Sequence, residues 1–563
     1  MRRAGIALAA LTVAALAAAP GAGASTRQES LFQDDALLVY PSISAVGHTL
    51  DTLQQLGVDR IRVSVYWRLV APGPTSDSKP AFGGGGEGDP AAYPRANWKR
   101  YDDLVRAAYA RGMQVDFDVG SPAPRWASQA PPASNADLDG YYRPDPADFG
   151  QFFHAVAQRY NGAYTPAVSD QNPPPPPPPN PNPLPIPLPM ASGAAPTASA
   201  ATPGDGTLPP VNYWSVWNEG NQKTFLAPQY VHRHEYSPRL YRAFLDGAWQ
   251  ALMATGHTGN TILVGDTAPK GGGQRDDLAN MRPLRFVRAL YCVGSNLRPL
   301  AGRAAAALGC PTRSQVAGFP AQHPALFGAS GFAHHPYALL TPPALRARNA
   351  DDVAVADIPR LDGTLGRIFA AYRQRRRLPI YDTEFGYQTR PPDPFGFRPA
   401  LAATYINQAE YMSYVNPHMR SYDQFLLVDA PPVSGFSPRD PGYWSSFQTG
   451  LEYGDGTPKP VLAAYRVPIF IPRASRTFAG PFRVWGGVRP APNGSAQAVD
   501  VIYRASGRGS RWRLVKRVVT RSPRNYLDTS VRLPASGLVR LRWRNPATGE
   551  VDLSRAAPVF IRF

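Results

Sequence analysis

Between about residues 36 and 466, short β-like runs alternate with longer helical patterns, and this alternation limits the possible folds more than any other feature of the chain. Parallel strands cannot be joined by a tight turn, so a repeated strand–helix pattern is the mark of an α/β fold with a parallel sheet. Eight strand-like runs can be read, at residues 37–40, 60–66, 114–119, 212–217, 261–265, 330–334, 378–382 and 421–428. Helical patterns lie between them, for example at 97–111, 146–160, 238–255 and 401–415. Eight strands with seven crossovers predict a (β/α)8 TIM barrel carrying insertions. A doubly wound open sheet is the rival architecture, but no Gly-rich phosphate-binding turn follows the first run.

Beyond residue 466 the helical pattern stops. Runs at 498–504, 512–520 and 539–543 alternate with turn-forming residues, which predicts a small all-β sandwich domain over 471–563. One insertion interrupts the barrel region. Residues 163–210 include seven consecutive prolines, Pro173 to Pro179, followed by Pro-, Ala- and Ser-rich sequence. Such a segment has too little apolar surface to bury and is expected to be extended or disordered. It follows a helix and precedes a strand, so in a barrel it would emerge at the face opposite the active one.

The N-terminus reads as a signal peptide over residues 1–24. Arg2 and Arg3 precede an apolar stretch at 6–19, and Ala22-Gly23-Ala24 offers a cleavage site before Ser25. The stretch is too short and too Ala-rich to span a bilayer, so a secreted, extracellular chain with no membrane span is expected, its barrel domain running over 25–466. A hydrophobic fraction of 43% excludes global disorder. The only cysteines, Cys292 and Cys310, are expected to pair in an oxidising compartment, and two cysteines alone cannot build a zinc site. The formal charge of +18 is concentrated after residue 470, where 18 Arg plus Lys face four Asp plus Glu. That excess would attract an acidic cell-surface polymer, or it decorates solvated strand faces. Nucleic acid is disfavoured as a partner, because no recognisable binding motif is present.

Two of the strand-like runs end in glutamate. They are Tyr213-Trp214-Ser215-Val216-Trp217-Asn218-Glu219-Gly220 and Leu378-Pro379-Ile380-Tyr381-Asp382-Thr383-Glu384-Phe385-Gly386, by count the fourth and the seventh. In a barrel the C-terminal ends of all strands converge on one axis, so carboxylates distant in sequence can meet there. Both segments closely resemble glycoside hydrolase clan A, which includes the family 5 cellulases and mannanases and the family 39 xylosidases. The resemblance covers most of residues 36–466. It implies a retaining β-glycosidase that cleaves a poly- or oligosaccharide by double displacement, with Glu219 as acid/base, Glu384 as nucleophile and Asn218 bonded to the sugar 2-hydroxyl.

Other residues extend the resemblance. Arg62 matches an arginine that bonds the nucleophile and would favour its ionised form. His335-Pro336-Tyr337 matches a motif whose His faces the sugar and whose Tyr steadies the nucleophile, with His334 beside it as a structural histidine. Trp67, Trp126 and Trp444 are candidates for stacking on sugar rings or, equally, for packing within the barrel. The segment Asp116-Phe117-Asp118-Val119-Gly120 lacks a histidine familiar from family 5, and the run at 421–428 lacks a tryptophan many relatives carry. No metal or organic cofactor is required, and a monomer is expected. The competing reading is a non-catalytic carbohydrate-binding or surface-adhesion protein on the same scaffold. Its sequence mark would be loss of either glutamate, and both are present.

Overall fold

The structure is a computed structural model that describes residues 23–167, 206–477, 480–546 and 548–562. The expected signal peptide and most of the proline-rich insertion lie outside the described residues. Eight parallel strands form one sheet: β1 (Glu29–Gln33), β2 (Arg60–Tyr66), β3 (Gln114–Gly120), β4 (Tyr213–Val216), β5 (Thr261–Thr267), β6 (Gly331–His334), β7 (Ile380–Asp382) and β8 (Ser421–Phe425). Each pairs with its successor from β1 to β7, and β1 also pairs with β8, Glu29 opposite Ser421 and Gln33 opposite Phe425. Strands β7 and β8 meet through an Ile380–Met419 bridge and a hydrogen bond from Ser421 Oγ to the Asp382 carbonyl (2.8 Å). The sheet is therefore a nearly closed TIM barrel.

Strand alternation divides the side chains into two environments. On β2 and β3 the residues Ile61, Val63, Val65, Phe117 and Val119 belong to the apolar core beneath the helices. Their neighbours Arg60, Arg62, Asp116 and Asp118 are equally buried but point inward, where Arg62 lies opposite Asp116 in the ladder. The barrel interior is thus a polar, charged stack rather than layers of branched aliphatics. The surrounding helices include α1 (Ile43–Gln55), α2 (Arg95–Ala110), α3 (Pro146–Arg159), α4 (Ser237–Ala254), α5 (Pro283–Leu290), α6 (Ile358–Ala371) and α7 (Pro399–Tyr414). Asp145 caps α3 by accepting from the backbone N–H groups of Ala147 and Asp148, and Pro146 occupies the first turn, where its missing N–H costs nothing.

Two strand expectations need correction. The run at 37–40 is not a strand: Asp34 accepts from the Leu37 N–H (3.2 Å) and caps a short helix, Asp35–Leu38, whose Leu38 joins the core. The first strand is Glu29–Gln33, whose polar ends face the charged interior; Glu29 pairs with Arg60 (2.6 Å) and Gln33 accepts from Arg62. The eighth strand stops at Phe425, because Leu426 turns into the left-handed region (φ 75°) and Asp34 takes the Leu427 N–H (2.9 Å).

After α8 (Pro460–Arg466), two sheets form a β-sandwich. The smaller sheet has β9 (Ile469–Phe470), β11 (Phe482–Gly487) and β14 (Tyr526–Val531). The larger has β10 (Ser475–Thr477), β12 (Gln497–Ala505), β13 (Arg513–Thr520), β15 (Gly537–Arg544), β16 (Val551–Leu553) and β17 (Ala557–Arg562). Val484, Val501, Leu541, Trp543 and Val559 fill the space between them. The sandwich sits against the N-terminal end of the barrel, where Arg524 pairs with Glu29 (2.8 Å) and Asp59 (2.6 Å). Inside this junction Glu410 accepts from Arg489 (2.6 Å) and Tyr526 (3.0 Å).

The expected disulfide is present between Cys292 and Cys310. The buried Arg242 guanidinium ties its loop to α4, donating to the carbonyls of Leu290 (2.9 Å), Leu308 (3.1 Å) and Gly309 (3.1 Å). No helix among the described residues is long and apolar enough to cross a membrane.

Candidate active site

The C-terminal ends of β4, β5, β6 and β7 converge on one point. At the end of β4 the chain takes two left-handed residues, Trp217 (φ 61°) and Glu219 (φ 38°). For a bulky residue such as Trp217 this conformation is costly and persists only where the surroundings dictate it. Here they do: the indole stacks on Phe244 (4.5 Å between ring centres) and donates to the Phe225 carbonyl (2.9 Å). The resulting turn delivers Asn218 and Glu219 into the barrel mouth. On β7, Thr383 donates to Asp266 (2.7 Å), which holds the strand end in place and sets Glu384 opposite Glu219.

Arg62 is the hub beneath the two glutamates. Fully buried, it donates to Glu384 Oε1 (2.8 Å) and Asn218 Oδ1 (3.2 Å), and also faces Asp118 (3.1 Å) and Asp266 (3.4 Å). His335 lies between the carboxylates, with Nδ1 2.8 Å from Glu219 and 3.5 Å from Glu384, and Nε2 3.4 Å from Asp266. The Tyr337 hydroxyl donates to Glu384 Oε2 (3.3 Å). One oxygen each of Glu219 and Glu384 and one nitrogen of His335 all lie within 4.8 Å of one another.

Burial and charge act against each other on these groups. Burial disfavours a charged imidazole, yet Glu384, Asp266 and Glu219 together outweigh it and push His335 up to about 10. Burial also raises the Glu384 carboxyl above its usual range, opposed by the positive charges of His335 and Arg62. Arg62 acts in the expected direction, toward the ionised carboxyl, but desolvation at the barrel mouth outweighs it. Asp266 is buried too, but Arg62 and His335 hold it below its ordinary value. His334 points away from the site, bonded to Thr267 (2.8 Å) and the Val353 carbonyl (2.9 Å), and burial lowers it to about 3.

Among the described residues, Glu219, His335 and Glu384 form the only set of three or more such groups close enough to share a metal ion.

The paired glutamates open into a cavity of about 380 Å³. Its walls include Tyr40, Tyr66, Tyr141, Phe225, Phe425 and Phe447. Asn218, Glu219 and Glu384 line it, whereas Trp126 and Trp444 do not. Trp126 packs edge-on against Trp67 (6.1 Å) and Phe82 (5.8 Å), with its indole N–H on the Pro72 carbonyl (3.0 Å). Trp67 is wholly buried and stacked on Phe152 (5.6 Å), and Trp444 donates to the Pro438 carbonyl (2.8 Å). All three tryptophans therefore lie outside the cavity wall. Sequence reading missed Asp266 and Phe447. Asp266 is the last residue but one of β5, and Glu384 lies just beyond β7, a strand-end signal that was available; Phe447 sits in a loop at φ 69° and gave none.

Taken together, a nearly closed parallel barrel with two glutamates facing one cavity at its C-terminal mouth places the site among carboxylate-pair sites of TIM barrels. No family model matches the chain, and no curated protein matches it. Solved structures similar to it include GH5_18 from Streptomyces cattleya in complex with GlcNAc, at 14% identity, covering 81% of this chain and 84% of that one, with a TM-score of 0.42. A family 51 α-L-arabinofuranosidase from Bifidobacterium longum is similar at 11% identity over 91% of this chain and 97% of that one, TM-score 0.41. A superoxide reductase (neelaredoxin) from Ignicoccus hospitalis matches 18% of this chain and 86% of its own at 16% identity, TM-score 0.16. Likenesses this distant leave the chemistry to be read from the site itself.

Proposed function

We propose that this chain is an exported retaining β-glycoside hydrolase. The observation that carries the reading is the approach of Glu219 and Glu384, oxygen to oxygen within 4.8 Å, across a cavity sized for sugar rings. Retaining glycosidases hold their carboxyl pair about 5–5.5 Å apart, and inverting ones about 6.5–9.5 Å, to admit a water between them. In the first step Glu219 gives its proton to the glycosidic oxygen while Glu384 attacks the anomeric carbon, so that the C–O bond to the leaving group breaks as the bond to Glu384 forms. In the second step Glu219 takes a proton from water, and the hydroxide displaces Glu384 with a second inversion.

The neighbours have matching tasks. Arg62 and Tyr337 both donate to Glu384, which fixes its orientation and favours the carboxylate needed for attack. Arg62 also occupies Asn218 Oδ1, which leaves the Asn218 amide N–H free to donate to a sugar hydroxyl. The aromatic walls supply flat apolar surface for the C–H faces of a carbohydrate. Export is supported by the signal-like N-terminus and by the disulfide. The poly- or oligosaccharide substrate follows from this reading of the site.

The direct test is Glu384→Ala. Turnover of an aryl β-glycoside should fall about 10⁴-fold or more, and azide should restore part of it while yielding a glycosyl azide of inverted configuration. Full activity in that variant would overturn the assignment.

A further inference from the structure

We propose that the outer face of the larger sandwich sheet is a docking surface for an anionic polysaccharide, engaged through rows of arginine guanidinium groups. On β15 the inward residues Val539, Leu541 and Trp543 fill the sandwich core, so the alternate residues Arg540, Arg542 and Arg544 stand on the opposite face. The neighbouring β12 sets Asp500 beside Arg542 and Arg504 beside Leu538. Arg504 and Arg540 both lie over the ring of Trp512, at 5.1 and 5.2 Å. Phe560 and Leu514, each 51% exposed, flank these rows.

The charge on this face is not neutralised internally. Of the four acids after residue 470, Glu550 lies in the turn between β15 and β16, Asp528 is taken by Arg483 and Asp552 by Arg466. Asp500 is shared by Arg517 (2.7 Å) and Arg542 (2.8 Å), which leaves it nothing for the rest. Guanidinium forks match carboxylate and phosphate oxygens in pairs, and exposed aromatic and aliphatic side chains between them suit the C–H faces of sugar rings. Insertion into a membrane would call for a continuous apolar face, whereas here arginines separate the apolar side chains. The sandwich rests on the barrel's N-terminal end, so a polymer held on its outer sheet leaves the opposite, cavity-bearing end open.

The test uses the full chain and polygalacturonate as probe, with dextran, duplex DNA and phosphatidylglycerol vesicles as the other arms. Binding to polygalacturonate should weaken roughly tenfold between about 0.05 and about 0.2 M salt, and dextran should not bind. The Arg504→Gln/Arg540→Gln double variant should lose roughly tenfold in affinity with an unchanged melting curve. Should that variant fail to fold, Arg544→Gln/Arg562→Gln, on the same face, should show the same loss. Equal binding of dextran, tighter binding of DNA or vesicles than of polygalacturonate, or folded variants that bind unchanged would each overturn the proposal.

Discussion

His335 is the residue on which the charge balance of the site turns. Its imidazolium faces Glu219, Glu384 and Asp266, and with Arg62 it supplies the positive charge that opposes the desolvation of Glu384. Replacing it with a neutral side chain removes one of those two cations, so the Glu384 carboxyl should be harder to ionise. For His335→Gln the acidic limb of the kcat/KM profile should move to higher pH by roughly 1–3 units. An unmoved limb, measured on an aryl glycoside, would mean that His335 does not act on the nucleophile through charge. Glu219 and Glu384 were legible because glutamates at the ends of apolar strand-like runs stand out, whereas Arg62, within β2, and His335 were legible only through the resemblance of their motifs to glycoside hydrolase clan A. For the tryptophans, residue type does not choose between sugar stacking and packing, because an aromatic ring says nothing about the direction it faces; the Trp126 and Trp444 indoles donate to the Pro72 and Pro438 carbonyls.

At the scale of elements, strand number and order were readable because β2 to β8 keep apolar residues on the helix-facing side. β1 was displaced in the reading because its inward residues Glu29 and Gln33 are polar, which removes the apolar run a strand is recognised by. The apolar run at 37–40 that drew the assignment instead is the short helix capped by Asp34 and the turn after it. The loop after α5 is held at both ends, by the disulfide and by Arg242, which burial pulls down to about 10. Cross-linking two residues 18 apart removes chain entropy from the unfolded state, so the double replacement Cys292→Ala/Cys310→Ala should cost on the order of 3 kcal/mol. Denaturant melts of the oxidised protein and the variant measure that difference; no change would show that Arg242 alone secures the loop.

For the whole molecule, the polar barrel interior has a cost that depends on pH. Burial pushes Asp34 and Asp116 to about 7 and Asp118 to about 8, well above the range of exposed carboxyls. The native state therefore keeps protons that the unfolded chain gives up above about pH 4. The stability these groups contribute is full below about pH 4 and is lost as pH rises to about 8. His335 adds to the same trend, its contribution being full below about 6.5 and lost as pH rises through about 10. The denaturation midpoint should accordingly be higher near pH 5 than near pH 8.5. A midpoint that rises over that interval would contradict the protonated state of the interior. The sandwich shares in this stability, because removing it would strand Glu410, which is buried at the junction against Arg489 and Tyr526. That dependence was not legible in the sequence, since it joins residues about eighty and more positions apart.

All of these effects are arranged around the facing glutamates. Proton NMR of the first sugar released from a nitrophenyl β-glycoside, recorded before mutarotation sets in, reports directly on how they act. The β-anomer should appear first and only later equilibrate with the α-anomer; initial release of the α-anomer would contradict a double displacement by Glu384 and Glu219.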